Sequence, residues 1–384
     1  AAKLLLRIPF EEIQGISKYR AYCSYNDGYI EAMLDSGNRL SLRFIKHKLE
    51  ALGRNSGISI SRIKGESNRI EIKSEDAQLA GIKITIGIAT TNFTILNMLQ
   101  RGKWNVGRVT PVTSRPITIR IEGVNISRND QAQEVLEKLG NAFMFQMDLA
   151  LDISLYLAVE GEEKNNYYYY PSFKVDHFSP TFPKYQYDNQ PMSLYWYARM
   201  ASRMPLMQYL AYYQILEYFF PIYAEKATYE VAQAILKDPT FNPNQESNIS
   251  RLLGSIKPYL SKGGYGNEKL SLNATLQECV LPQELREFIL DDKERVEFYK
   301  SGYQSISPAK IVFEKDSSDI LLETATRIYE IRCKIVHTKS NETNQSSDML
   351  LPFSREAQQL SFEISLVKFV STKVIIASRT PLKI

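Results

Sequence analysis

Isoleucine occupies every second position twice in the first third of this chain, at Ile82, Ile84, Ile86 and Ile88 and again at Ile117, Ile119 and Ile121. A β-branched residue repeating at period 2 faces one side of a pleated strand. Ile58, Ile60 and Ile63, then Ile70 and Ile72, extend the pattern across Gly and Ser/Asn turn signals. Residues 1–128 are therefore expected to be mainly strands. Further along, the period changes. Leu206, Leu210, Tyr213, Leu216 and Phe220 are spaced as one buried face of a helix. Two periods in two stretches predict an α+β chain, with a β-rich mixed domain over 1–160 and an all-α bundle over 191–384. Residues 161–190, with Tyr167–Tyr170, Pro171, Pro180 and Pro183, read as an aromatic linker or covering loop. At 384 residues the chain is long enough for two cores.

Within this frame, Asn129 or Asp130 caps a helix expected to run to about residue 146. The alternation Met147, Leu149, Leu151, Ile153, Leu155 and Leu157 favours a strand after it. Helices are expected over 191–202, from Pro205 at a first helical position, over 246–259, 282–290 and 292–300, from Ser317 to about His337, and from Phe353 to about Val370. Pro221 is expected to kink or break the long helix. The Gly263, Gly264 and Gly266 segment reads as a loop.

Composition excludes several classes. No stretch of 18 apolar residues appears, so no membrane span is expected; the few scattered cysteines fit a reducing, cytoplasmic setting. The first residues carry no basic segment leading into an apolar stretch and cleavage site, so no secretory signal is expected in them. Cys23, Cys279 and Cys333 are too scattered for a disulfide framework or a zinc site. Three histidines cannot supply a His-rich metal cluster. No phosphate-binding loop, dinucleotide fingerprint or nucleophile elbow is present, and no cofactor is expected. The net charge is +4, but residues 1–128 hold 20 basic and 11 acidic residues and residues 129–160 hold one and six. The basic third, including Arg43 and Lys46, either contacts nucleic acid or is an ordinary solvated surface.

One histidine has an informative context. In ATRIYEIRCKIVHTKS, Arg332 precedes His337 by five residues near a helix end, and Arg327 precedes Arg332 by five. Imidazole can pass a proton either way near neutral pH. A guanidinium binds phosphate bidentately and stabilises charge developing on its oxygens. Arg plus His with no metal cluster suits RNA cleavage, in which the 2′-hydroxyl attacks the adjacent phosphate. By spacing alone the pattern is generic, and a helical histidine is more often structural or solvated.

Arg332 and His337 match the Arg-x(4–6)-His hallmark of HEPN domains, and the region 191–373 resembles that family, in particular its large abortive-infection and anti-phage members. YLAYYQILEYFF, residues 209–220, resembles an early helix of such members, and IRCKIVHTK, residues 331–339, followed by a polar loop and a further helix, matches their order of elements. Cys333 departs from the family's common Asn. The resemblance implies a HEPN-like helical bundle that dimerises, with the Arg and His of both protomers in one composite cleft. It implies a metal-independent endoribonuclease, a toxin or defence effector, with RNA as substrate and a phage component or antitoxin as a candidate regulatory partner. Arg332 would bind the scissile phosphate. His337 would act as general acid/base or orient that phosphate. Glu217 would be a polar residue directed to the site, or else a structural partner of an arginine such as Arg327. Lys334, Lys339, Arg327, Arg43 and Lys46 are candidate RNA contacts.

Three rivals stand beside this reading. The chain could be a non-catalytic binding or sensing protein that uses the helical half to dimerise. It could be a structural subunit whose 24 tyrosines are partner contacts. A metal-dependent nuclease built on Asp148 and Asp152 lacks a third ligand with motif spacing.

Overall fold

The computed structural model describes residues 12–36, 45, 47–49, 58–61, 69–74, 79, 81–100, 116–160, 180–201, 204–260, 265–302, 306–314, 319–336, 350 and 355–383. The chain divides into two compact units, residues 1–189 with 379–384, and residues 190–378.

The first unit is built on an antiparallel sheet. Its strands are β1 (Ile13–Ile16), β2 (Ala21–Ser24), β3 (Tyr29–Ser36), β4 (Ile58–Ser61), β5 (Arg69–Lys73), β6 (Lys83–Ile88), β7 (Ile117–Glu122) and β8 (Leu155–Leu157). The order is β1-β2-β3-β7-β6-β5-β4, with β8 on β3. Two three-stranded meanders, β1–β3 and β4–β6, are thus joined by β7, which pairs antiparallel with both β3 and β6. The isoleucine alternation sets the register. Ile30 faces Ile121, Ile121 faces Ile84, and Ile84 faces Ile72. The next row runs Ala32, Ile119, Ile86, Ile70. All eight side chains are at most 1% exposed. A one-residue slip of β7 would turn Ile119 and Ile121 to the polar face, at about 1.5–3 kcal/mol per fully buried isoleucine.

That polar face is a ladder of paired charges. Glu31, buried on β3, accepts from the Thr90 N–H at 2.9 Å, the Thr90 hydroxyl at 2.7 Å, the Thr118 hydroxyl at 3.0 Å and Arg120 Nη1 at 3.3 Å. Arg120 also reaches Glu122 at 2.9 Å and lies 3.8 Å from the Tyr29 ring centre. Lys83 closes on Glu122 at 2.5 Å. Thr90 also caps helix α1 (Thr91–Gln100), its hydroxyl accepting from the Phe93 N–H at 3.2 Å.

The predicted helix from residue 129 runs further than its sequence pattern suggests. Helix α2 (Asn129–Val135), a π-helical turn (Leu136–Gly140) and α3 (Asn141–Leu151) follow without a break. The helix ends at Asp152, whose left-handed backbone (φ 52°) lets its N–H bond the Asp148 carbonyl at 2.8 Å. Only Leu155–Leu157 is strand. The apolar alternation misleads because α3 is buried almost all round, from Ala142 to Leu151 with few exceptions; a helix buried on every side carries no polar stripe to betray its period. Asp148 and Asp152 are both buried at this helix end. In the π turn the buried Glu137 accepts from Lys18 (2.7 Å), Tyr19 (2.9 Å), Gln133 (3.2 Å) and Asn189 (2.7 Å). Burial, more than this contact, pushes the Tyr19 phenol up to about 12.

Two boundaries differ from expectation. Residues 180–189 belong to the first unit, and the chain end returns there: β10 (Thr380–Pro381) pairs antiparallel with β9 (Tyr185–Gln186). The Arg379 guanidinium lies 4.9 Å from the Tyr185 ring centre. The tyrosine run 167–170 and His177 lie outside the described residues.

Among its described residues, the second unit is built of helices joined by turns and irregular segments. Its elements are α4 (Asn189–Met200), α5 (Pro205–Leu236), α6 (Glu246–Leu260), α7 (Tyr265–Cys279), α8 (Pro282–Leu290), α9 (Lys293–Glu297), a π-helical turn (Phe298–Gly302), α10 (Ile320–Val336), α11 (Arg355–Gln358) and α12 (Ser361–Ala377). Pro205 starts α5 as its sequence position predicts, but Pro221 does not end it. Pro221 leaves the Glu217 carbonyl without its helical donor, and packing against α6, α7 and α12 holds the 32-residue helix together. The buried face is wider than the predicted stripe. Tyr209, Tyr212, Ile215 and Phe219 are buried beside Tyr213, Leu216 and Phe220. The segment beginning at Tyr265, expected to be loop, is helix α7, and it packs against α5, α10 and α12. No described helix is long and apolar enough to cross a membrane.

Candidate functional site

Arg327 and Arg332 share helix α10 but serve different neighbours. Five residues at about 100° each place them about 140° apart around the axis. Arg327 turns to the core. Its Nε donates to Glu363 Oε1 at 2.9 Å, Nη2 also bonds that oxygen, and Nη1 donates to the Ser307 carbonyl at 3.0 Å and to that of Ala309. Both partners are sealed, at 0% and 1% side-chain exposure. Arg327 is therefore no RNA contact, and Glu217 is not its partner.

Arg332 turns instead to α5 and α7. Its Nη2 lies 3.4 Å from Glu217 Oε1 and 3.4 Å from Glu268 Oε2. Its guanidinium carbon is 5.5 Å from the centre of the Tyr213 ring. Tyr213 and Glu217 reach the same cleft because they are four residues apart on α5. The cleft is half open, with side-chain exposures of 15% for Arg332, 34% for Glu217 and 35% for Glu268. Both ion pairs are longer than the roughly 2.7–2.9 Å of a tight charge-assisted bond.

The charges interact. Burial works against the Arg332 cation, but Glu268, Tyr213 and Glu217 outweigh it and hold its pKa above the ordinary arginine value. Burial raises the Glu217 carboxyl, Glu268 adds to the shift and Arg332 opposes it. Tyr213 is pushed well up by burial first and then by Glu268 and Glu217. At neutral pH the phenol is a neutral donor and Arg332 a cation. A guanidinium can bind an oxyanion, and a carboxyl with a raised pKa can exchange a proton.

The remaining predicted residues fall as follows. His337 and Lys339 lie beyond the last described residue of α10, and Arg43 and Lys46 also lie outside the described residues. Lys334 donates to the Ile306 carbonyl at 3.0 Å. Cys333 is half-buried beside Tyr329, whose phenol is raised by burial and by that thiol. His47 is exposed on a helical segment. In the basic first unit, Lys18, Lys83, Arg120 and Arg128 all meet carboxylates, so its positive balance does not translate into an equal number of unpaired cations. No group of three or more His, Cys, Asp or Glu among the described residues is arranged to hold a metal ion.

Sequence reasoning missed Glu268 and the part played by Tyr213. Glu268 sits in a segment whose glycines suggested a loop, and Tyr213 reads simply as one member of an apolar stripe. The i,i+4 spacing of Tyr213 and Glu217 was the available signal.

No protein-family model, curated protein or solved structure matches this chain.

Proposed function

We propose that the chain is a metal-independent endoribonuclease, with its helical unit a HEPN-like bundle and Arg332, Glu217 and His337 as the reacting groups. The observation that carries the reading is the approach of Arg332 and Glu217, 115 residues apart in sequence, to 3.4 Å in a half-open cleft. Arg332 binds the scissile phosphate. A base, Glu217 or His337, takes the 2′-hydroxyl proton as that oxygen attacks phosphorus. The bond to the 5′-oxygen breaks, and the conjugate acid of the pair returns a proton to the leaving oxygen. The products are a 2′,3′-cyclic phosphate and a 5′-hydroxyl. With one motif histidine per chain, a two-histidine site requires a homodimer. A cytoplasmic toxin or anti-phage effector is the setting this activity suits. The test is incubation of purified protein with tRNA, rRNA and mRNA in the presence of chelator, beside Arg332→Ala and His337→Ala. Cleavage by wild type alone supports the reading. Equal cleavage by all three proteins, or none by any, sinks it.

One observation favours a non-catalytic reading, in which the helical unit is a binding or dimerisation module. Arg332 already faces two carboxylates, as a structural ion cluster would. In that case Arg332→Ala lowers stability and leaves every RNA intact.

A further inference from the structure

Tyr213 is 1% exposed, and its hydroxyl has no hydrogen-bond partner among the described residues. Buried polar groups are almost always partnered, so an orphan requires an explanation. Its oxygen lies within electrostatic reach of Glu268, Glu217 and Arg332. Arg332 also has donors to spare. Both of its carboxylate contacts come from Nη2, and among the described residues Nε and Nη1 make no hydrogen bond. Glu268 Oε2 is likewise buried without a hydrogen bond, held by the 3.4 Å ion pair alone. The unused groups nearest the guanidinium are thus mainly donors, on an aromatic ring and a cation. A ligand that completes them must be an acceptor carrying negative charge.

We propose that Tyr213 and Arg332 together bind one phosphate-type oxyanion, and that Glu268 is the counter-charge that restrains the guanidinium until that anion displaces it. This rests on the reading of Arg332 as a phosphate-binding residue and extends it in two ways. Tyr213 becomes a binding residue, its hydroxyl donating to an oxygen of the same phosphate. Glu268 becomes a positioning residue that sets affinity through competition. The geometry supplies the competition: an anion approaching Nη2 meets the Glu268 carboxylate at the same nitrogen, and like charges at short range oppose binding.

The test is equilibrium dialysis of the full chain against radiolabelled inorganic phosphate at constant ionic strength. Wild type is compared with Glu268→Gln, Tyr213→Phe and Arg332→Ala, each near-isosteric variant checked by circular dichroism. Glu268→Gln is expected to tighten phosphate binding by about fivefold, from the loss of one nearby charge. Tyr213→Phe is expected to weaken it by about fivefold, from the loss of one hydrogen bond. Arg332→Ala abolishes it. A folded wild type that binds no phosphate overturns the proposal, as do Glu268→Gln and Tyr213→Phe variants that bind as wild type does. RNA cleavage assayed in parallel separates the two readings. The expected binding pattern without cleavage sinks the ribonuclease and leaves this site standing. Cleavage that Tyr213→Phe and Glu268→Gln leave untouched in both KM and kcat sinks this proposal alone.

Discussion

The Arg327 guanidinium and the Glu363 carboxylate are locked together in the core of the helical unit, with Nε donating to Oε1 at 2.9 Å and neither side chain more than 1% exposed. Tyr299 approaches the same carboxylate at 3.4 Å, and the Ser307 and Ala309 carbonyls take the other guanidinium donors. The pair ties α10 to α12. Arg327→Met leaves a buried carboxylate without its cation, which typically costs about 3–5 kcal/mol. The double change Arg327→Met with Glu363→Gln should cost clearly less than the sum of the two single changes. Chemical denaturation followed by circular dichroism measures both, and simple additivity would refute the coupling.

Gly123 ends β7 with φ +80°, and a Cβ there would fall well inside van der Waals contact with the Gly81 carbonyl oxygen. That oxygen is backbone and cannot swing aside. Gly123→Ala should therefore lower stability by at least about 2 kcal/mol, combining left-handed strain with the clash. An unchanged denaturation midpoint would show that the turn can open at no cost.

Glu122 contributes acid sensitivity to the sheet. Burial opposes its charge, but Lys83 and Arg120 outweigh burial and hold its pKa below the ordinary 4.5. A folded-state pKa below the unfolded one means that the unfolded chain binds more protons between the two values. The stabilisation is therefore present above about 4.5 and is lost as pH falls through the lowered value. Glu122→Gln should flatten that part of the acid limb in a comparison of unfolding free energy against pH.

Glu217 has the opposite sign. Its pKa is raised, by burial first, so the folded chain binds the proton more tightly. Relative to Glu217→Gln, wild type should gain stability as pH falls through the raised value towards 4.5 and change no further below it. A difference curve that is flat, or that rises with pH, would place the carboxyl in an environment unlike the one described. If Glu217 is the general base, the same ionisation should appear in the acidic limb of the RNA-cleavage rate.

The sequence by itself determined the division of labour along the chain. Isoleucine at period 2 specified a half-buried sheet, because strands expose alternate side chains to opposite faces; which strands pair, and in what register, came from the tertiary structure. The helical spacing after residue 205, and Pro205 at a first helical position, specified α5. The Arg332 to His337 spacing was legible as a pattern, whereas the meeting of Arg332 with Glu217 and Glu268 came only from packing. The end of α3 at Leu151, the helix α7 and the return of residues 379–384 to the first unit were not. Each depends on burial or pairing with segments remote in sequence, which local periodicity cannot register. Most of all, only tertiary packing decided between the two arginines of α10. Their spacing puts them on different sides of one helix, and it is the placement of α12 against one side and of α5 and α7 against the other that makes Arg327 a sealed core ion. The same packing leaves Arg332 in a half-open cleft, loosely held by Glu217 and Glu268 beside the ring of Tyr213.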